Sequence, residues 1–458
     1  MIAEQLLVGL WHSQHLPEEA LGHGYLPAGP GLFASSFAVG LAAQACLGAA
    51  ALAACELGFL RGAARQHVAV ERRHAEAQAS GWFSVNGEVP SAWDAFSGLY
   101  RCADGYVRIH ANFEHHRNGA LALLGLDPAT ATRAMAESAA LQWQALSLEA
   151  QAAERGLVIS ALRSFAEWDA TAQGQAVASQ PLFTVERIGE GAPLPLPTLD
   201  QSQRPLAGVR VLELTRILAG PVAGRTLAEA GADVMLVNAP YLPNIAAIAD
   251  TSRGKRSVHI DLRAASGHQQ LWQLAGQAHV FLQGYRPGAL AARGFSPEAL
   301  AERRPGIVYV SLSAYGNRGP WAERRGFDSL LQTAMGFNQA EAEAFGDTRP
   351  RAMPMQILDQ ATGYLIAFAV AAALRRQQLE GGSWHVQLSL AQTAQWLRGL
   401  PRIGTAQSEQ APYLEPYLET YRSGFGELRA VRPSPQLART PLGYGRPSSP
   451  PGTDAPTW

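Results

Sequence analysis

The chain is poor in cysteine: its 458 residues include only Cys46, Cys55 and Cys102. None of them forms a C-x-x-C pair, and an odd number does not imply a disulfide framework. We therefore expect a reducing compartment, the cytoplasm. The histidines lack the spacing of a known metal site, so no metal is predicted. No serine lies in a G-x-S-x-G elbow, which disfavours a serine hydrolase.

Charge is also scarce, at 16% of the residues against 47% hydrophobic residues, and the net charge is −1. This composition excludes a disordered chain, because disorder requires few apolar groups and high charge. It provides no overall field to hold nucleic acid or an anionic membrane, so neither is expected as a partner. An anionic ligand would need a local cluster of arginine and lysine.

Residues 20–55 contain no Asp, Glu, Lys or Arg. The stretch is long enough to span a bilayer. It consists mostly of alanine and glycine, however, which gain little in lipid, so a buried helix is the favoured interpretation over a membrane span. The N-terminus lacks a basic region followed by an apolar run, and no signal peptide is expected.

Residues 207–314 alternate short apolar runs with helical patterns, which indicates a parallel sheet covered on both faces. The predicted fold class is α/β, with a Rossmann-like parallel sheet flanked by helices and a smaller α+β domain. The predicted segments are a partial helical repeat of the large domain (1–80), the small domain with a return segment (81–188), a linker (189–206), the large domain (207–400) and an extended C-terminal segment (401–458).

A weak internal repeat relates two parts of the chain. SFAVG at 36–40 and DQATG at 359–363 each precede a long alanine-rich helix. The first copy has Ser36 where the second has Asp359, so helix geometry alone does not require the carboxylate. Asp359 could be an ordinary helix cap. Alternatively, the helix N-terminus could stabilise a reactive carboxylate there and supply N–H groups for developing negative charge.

Basic residues recur near the ends of the predicted strands. In open α/β sheets, ligands bind beyond the carboxyl ends of the strands, and converging cations suit a polyphosphate. The alternative for any single residue is a solvated surface charge. The residues in question are Arg216, Arg253, Lys255, Arg256, Arg286, Arg324 and Arg325.

Four segments that follow one another along the chain resemble a known protein family: PLAGVRVLELTRILAGPVAGRTLAEAGADV, RGKRSVHIDLR, VFLQGYRPGALAARGF and RPGIVYVSLSAYGNRGPWAERRGFDSLLQTAMGF. They resemble family III (CaiB/BaiF-type) CoA-transferases, and the match continues through DQATGYLIAFAVAAALRR. The resemblance places the nucleophilic aspartate at Asp359. It implies that the path of coenzyme A is lined by Arg216, Ala219, Lys255, Arg256, Tyr285 and Arg325. It suggests assisting roles for Asp328 and Glu114.

Three features depart from the family pattern. The segment that resembles the small domain precedes the nucleotide-binding half, whereas the family order is the reverse. Phe327 occupies the place of a histidine that racemases of the family use, which argues for transfer over racemisation. A racemase glutamate would fall at Phe113, next to Glu114, and Asn238 replaces an acidic residue that is common after the second strand.

The resemblance implies a CoA-transferase that moves coenzyme A from an acyl-CoA to a carboxylic acid through a covalent aspartyl intermediate. Coenzyme A would be substrate and product, with no permanently bound cofactor, and the protein would be a homodimer. Two alternatives remain open at this point. One is an acyl-CoA racemase or isomerase of the same fold, and the other is a non-catalytic CoA-binding subunit.

Overall fold

The structure is a computed structural model that describes residues 2–405 and 412–458. The helices in these residues are α1 Ala3–Ser13, α2 Val39–Leu60, α3 Arg72–Ala79, α4 Glu114–Leu123, α5 Arg133–Ala140, α6 Ala145–Glu154, α7 Phe165–Asp169, α8 Ala172–Ala178, α9 Ala219–Glu229, α10 Ile248–Thr251, α11 Ala265–Ala275, α12 Pro297–Arg303, α13 Asp328–Ala334, α14 Phe337–Phe345, α15 Ile357–Glu380 and α16 Leu390–Arg398. Short 3₁₀ helices span Glu18–His23, Ala291–Arg293 and Glu415–Tyr417.

The strands are short, as is common in α/β proteins. In chain order they are β1 Gly24–Tyr25, β2 Val68–Ala69, β3 Phe83–Val85, β4 Gly98–Arg101, β5 Tyr106–Ile109, β6 Ile159–Ala161, β7 Phe183–Gly189, β8 Arg210–Leu214, β9 Asp233–Asn238, β10 Lys255–His259, β11 Val280–Gln283, β12 Val308–Ser313, β13 Ser383–Ser389, β14 Leu418–Ser423, β15 Gly426–Val431 and β16 Gln436–Leu437.

A seven-stranded sheet with the order β10-β9-β8-β11-β12-β13-β7 forms the centre of the molecule. All its pairs are parallel except β13 with β7. Helices flank this sheet, which confirms the predicted α/β fold class. The strand order reverses between β8 and β11, and the diverging connections leave a crevice there at the carboxyl ends of the strands.

Two apolar helices, α2 and α15, pack against each other at the core, and α15 also packs against α9. Both are long and apolar enough to cross a membrane, yet they are largely or wholly buried inside the protein. The interpretation of the alanine-rich segment as a buried helix is therefore confirmed. The hydrophobic residues between Ala3 and Ala79 share one core with the large sheet, so this segment packs as part of the large unit.

A smaller unit has its own hydrophobic core, formed by the antiparallel sheet β4-β5-β6 and helices α4, α5 and α6. The hairpin β4–β5 turns through Asp104 and Gly105, and Asp-Gly is a favoured pair in hairpin turns.

The C-terminal segment differs from the extended chain predicted for 401–458. In its described part, β14 and β15 form an antiparallel hairpin, and β15 pairs with β3. In β15, Leu428 and Ala430 are buried whereas Glu427 and Arg429 are more exposed, and this alternation explains why the segment forms a strand rather than lying free on the surface. Residues 406–411 lie outside the described ranges.

Candidate active site

A cavity of about 380 Å³ lies at the point where the strand order of the large sheet reverses. Its walls come from the loops after β8, β11 and β12, from the start of α15 and from the small unit. The polar groups that line it include four arginines and one carboxylate: Arg216, Arg286, Arg324, Arg325 and Asp359. Four guanidinium groups around one cavity suit a ligand with several phosphates.

Asp359 is the third residue of α15 and is only 9% exposed. Burial raises the pKa of its carboxyl well above the usual 3.8, and the neighbouring Asp328 raises it further. The backbone N–H of Ala219, the first residue of α9, donates to this carboxyl and opposes the shift in pKa. A carboxylate with little hydration, held by one N–H at a cavity wall, is well placed to act as a nucleophile.

Asp328, the first residue of α13, accepts hydrogen bonds from the start of α15. One of its oxygens, Oδ2, accepts a hydrogen bond from the backbone N–H of Asp359 at 3.0 Å, and the N–H of Leu358 also donates to its carboxyl. Burial raises the pKa of Asp328 to about 6. The N–H groups of Leu358 and Asp359 are therefore occupied. The expectation that N–H groups at the start of α15 hold developing negative charge is wrong for these two groups.

Gly363 follows Asp359 by one helical turn and allows α9 to approach closely. A Cβ atom at this position would lie 2.6 Å from Val222 Cγ1 and 2.7 Å from the carbonyl oxygen of Ala219. Both distances are shorter than van der Waals contact, so only glycine fits without a shift. This close approach brings the N–H of Ala219 to the carboxyl of Asp359.

An aromatic group forms the wall of the cavity that faces the small unit. The ring of Phe327 stacks on His110 with centroids 3.9 Å apart, and Phe113 and His116 lie within 6.4 Å of it. Burial lowers the pKa of both histidines to about 3, which keeps their rings neutral. His116 Nε2 also lies 3.0 Å from Arg325 Nη1.

Of the nine site residues that the family resemblance implies, the structure brings five to this cavity: Arg216, Ala219, Tyr285, Arg325 and Asp359. Four others do not line it. Glu114 is exposed at the start of α4, and Asp328 is buried behind Asp359. Lys255 and Arg256 begin β10. The amino ends of the parallel strands lie at one edge of the sheet, whereas the cavity lies at the other edge, beyond the carboxyl ends.

Lys255 is the only lysine of the chain, and its side chain is fully buried. Its Nζ lies 2.7 Å from Glu213 Oε2, also fully buried, and donates to the carbonyl oxygen of Pro221 at 2.8 Å. Arg256 pairs instead with Asp233 at the sheet edge. Neither residue lines the cavity, so the structure does not support the implied role of Lys255 and Arg256 as contacts of coenzyme A. Lys255 supports the first turn of α9, the turn that reaches Asp359.

Sequence inspection missed two parts of the site. The contact of Asp328 with the start of α15 joins residues that no local pattern connects. The N–H of Ala219 is a backbone group, and the sequence could indicate it only as part of the turn between β8 and α9. Within residues 2–405 and 412–458, no three potential ligand side chains come together as a metal site.

The fold and cavity define an α/β protein with an arginine-lined ligand site at the switch point of its sheet. Residues 206–413 match the family model of CoA-transferase family III.

Similar curated proteins carry related names. An acyl-CoA transferase of Gibberella moniliformis is 34% identical over 64% of this chain and 55% of its own length. A probable fatty acyl-CoA transferase of Mycobacterium tuberculosis is 34% identical over 53% of this chain and 64% of its own. Succinate–glutarate CoA-transferase of Agrobacterium fabrum is 32% identical over 46% and 60%, respectively. The chain thus spans between half and two thirds of the length of these relatives.

Proposed function

We propose that the protein is a CoA-transferase that moves coenzyme A from an acyl-CoA to a carboxylic acid, with Asp359 as the nucleophile. The observation that carries the proposal is the position of Asp359: a buried carboxyl at the wall of a cavity lined by four arginines. The transferase names of the relatives agree with this activity. Coenzyme A and the two acids are substrates and products.

The reaction begins when a carboxylate oxygen of Asp359 attacks the thioester carbonyl carbon. The carbon–sulfur bond breaks, the thiolate of coenzyme A leaves, and a mixed anhydride forms. The thiolate then attacks the aspartyl carbonyl, which releases the donor acid and leaves an aspartyl-CoA thioester. The acceptor carboxylate repeats these two steps in reverse and regenerates Asp359. Each intermediate is close in energy to a thioester, so both halves are reversible.

The residues around Asp359 have distinct parts in this scheme. Arg216, Arg286 and Arg325 would bind the phosphates of coenzyme A, and Tyr285 would line the path of the pantetheine arm. Arg286 is exposed at the cavity, where its guanidinium group can donate to a ligand. The N–H of Ala219 holds the carboxylate of Asp359. Asp328 keeps the pKa of Asp359 raised, which makes the carboxylate a stronger nucleophile once it is ionised.

A racemase of the same fold would need a second base near the α-carbon. Phe327 lies where that base is expected, and the nearby His110 and His116 are neutral and buried among aromatic rings. Deuterium uptake from solvent at the α-carbon, without an added acceptor acid, would support the racemase and count against transfer. No observation on the site favours a non-catalytic subunit, and the experiment below separates it from an enzyme.

The test replaces Asp359 with asparagine, which has the same shape and no charge. Asp347→Asn, at an exposed aspartate after α14, is the matched control. We expect Asp359→Asn to lose CoA exchange by at least about a thousandfold, since the nucleophile is removed, and to retain binding of coenzyme A. Hydroxylamine should trap the wild-type intermediate as a hydroxamate at Asp359, identified by peptide mass. Exchange that survives in Asp359→Asn would contradict the proposal. Wild-type protein that binds coenzyme A without any exchange would indicate the non-catalytic subunit.

A further inference from the structure

A second cavity, of about 390 Å³, adjoins the candidate active site on the far side of the sheet's switch point. Its walls come from β11, β12, β13 and β7. The two cavities share Tyr285, Arg286, Pro287, Leu312 and Ser313. A ligand that reacts at Asp359 can therefore extend into the second cavity past this shared wall.

The wall of this second cavity has an unusual composition for a largely parallel sheet. Gln283 pairs in register with Ser311, Ser311 with Gln387, and Gln387 with Thr184. Residues that pair across neighbouring strands point to the same face, so these four form one polar row across the sheet. Faces of parallel strands are ordinarily covered and apolar. A row of amides and hydroxyls that faces a cavity indicates a binding function.

Hydrogen bonds hold part of this polar row in place. The backbone N–H of Tyr285 donates to Gln283 Oε1 at 2.9 Å, and Gln283 Nε2 donates to Ser311 Oγ at 3.2 Å. Ser311 Oγ lies 2.9 Å from His385 Nε2. Because Ser311 already accepts from Gln283, its own hydrogen is free to donate to His385. The row is thus connected to Tyr285 at the shared wall.

A buried polar atom at this wall remains available. Within residues 2–405 and 412–458, Thr184 Oγ1 is buried with no protein partner, whereas the half-buried Gln387 uses Oε1 for its hydrogen bond with Asn317. A polar atom that is buried without a hydrogen-bond partner is destabilising. An apolar ligand would leave Thr184 Oγ1 unpaired, whereas a hydroxyl, keto or amide group would satisfy it.

The charges around the second cavity argue against a phosphate or a second carboxylate at the row. The row itself is uncharged, and burial lowers the pKa of His385 to about 4, so its ring is neutral. The carboxylate of Glu186 lies on the wall, directly opposite His385 in the strand register. The guanidinium groups of Arg286 and Arg318 also line the cavity, but both side chains are exposed to solvent.

We propose that the second cavity binds the neutral, hydrogen-bonding tail of the carboxylic acid that exchanges at Asp359, so that the preferred acid carries hydroxyl, keto or amide groups. This inference rests on the proposed CoA-transferase function. Ser311 lies two residues before Ser313, about 6.6 Å along the strand, so the tail must extend by at least that distance beyond the shared wall. Hexanoate, 6-hydroxyhexanoate and adipate are probes of suitable and matched length.

The experiment compares these three acids as CoA acceptors from acetyl-CoA, with wild-type protein, Gln387→Leu and Ser311→Ala. Gln273→Leu, on the exposed face of α11, is the matched control. We expect the wild-type protein to prefer 6-hydroxyhexanoate to both hexanoate and adipate by kcat/KM. Gln387→Leu should reduce the preference over hexanoate by up to about tenfold, the value of one neutral hydrogen bond. The KM for acetyl-CoA should not change, and Gln273→Leu should behave as wild type.

Ligand-detected NMR of 6-hydroxyhexanoate and hexanoate, with the same proteins, measures binding without turnover. If Gln387→Leu weakens the binding of 6-hydroxyhexanoate but not of hexanoate, the inference is supported even if no exchange occurs. The lack of exchange would then contradict only the proposed function. An unchanged ratio between the acids in both variants would overturn the inference. A raised KM for acetyl-CoA with an unchanged ratio would also overturn it, since the cavity would then serve coenzyme A. Thermal unfolding of each variant identifies any variant that fails to fold. The ratio between the acids measured with the other variant then decides the test.

Discussion

Gly363→Ala adds one methyl group between α15 and α9, behind the candidate nucleophile. The new Cβ would lie 2.6 Å from Val222 Cγ1 and 2.7 Å from the carbonyl oxygen of Ala219. Ordinary contact between carbon atoms begins near 3.5 Å, so the two helices must separate locally by about 1 Å. The atoms in the way belong to the first turn of α9, including backbone, and cannot rotate aside.

Two effects follow from this separation. Overpacking of a buried helix contact costs about 1–3 kcal/mol in the free energy of unfolding. The N–H of Ala219 also moves away from the carboxyl of Asp359, which weakens the hydrogen bond that orients it. A displacement of about 1 Å at a reacting group can lower kcat about a hundredfold. We therefore expect a loss of kcat far larger than the loss of stability implies.

The assay combines urea unfolding with the kinetics of CoA exchange. Gly9→Ala is the control, because Gly9 lies in α1 and a Cβ there meets nothing within 4 Å. That variant should gain up to about 1 kcal/mol from helix propensity and keep full activity. If Gly363→Ala matches Gly9→Ala in both measurements, the reasoning on the contact between α9 and Asp359 is refuted.

Two further predictions concern buried charges. CoA exchange requires an ionised Asp359, so its rate should fall as the pH drops through the raised pKa. Asp328→Asn removes the like charge and should lower the pKa of Asp359. The acid limb of the pH–rate profile should then move to lower pH, and an unmoved limb would contradict the effect of Asp328 on Asp359. Lys255→Met leaves Glu213 buried without its partner and should cost about 3–5 kcal/mol in urea unfolding, most of which a second substitution, Glu213→Leu, should restore. No recovery in the double variant would contradict this account.

The amino-acid sequence predicts much of the large unit because its signals are local. Apolar runs between helical patterns identify β8 to β12, and the strand-to-helix alternation fixes a parallel sheet with its ligand site at the carboxyl ends. Arg216, Arg286 and Arg325 follow strands, and the structure places them together at one cavity. Arg253 precedes β10 and Lys255 is its first residue, and both are buried in ion pairs. Position at the start of a strand or after its end therefore separates the structural cations from the ligand-facing ones.

The remaining features depend on contacts between distant parts of the chain. The polar row of the second cavity consists of Gln283, Ser311, Gln387 and Thr184, one from each of four strands, and only the strand order and register align them. Each of these residues alone is an unremarkable polar residue in a short strand. The hairpin β14–β15 likewise depends on pairing with β3, some 340 positions earlier in the chain, as in the pair Leu428 and Val85.

The two copies of the internal repeat explain why Asp359 can be reactive. In the first copy, Glu341 accepts a hydrogen bond from the backbone N–H of Ser36, and the Ser36 hydroxyl donates to the same carboxylate. In the second copy, Asp328 accepts from the backbone N–H of Asp359 in the same manner. A buried carboxylate thus supports the chain at both places, but only a hydroxyl can also donate to it. At Asp359 two carboxyls meet instead, and their repulsion adds to burial in raising the pKa of Asp359.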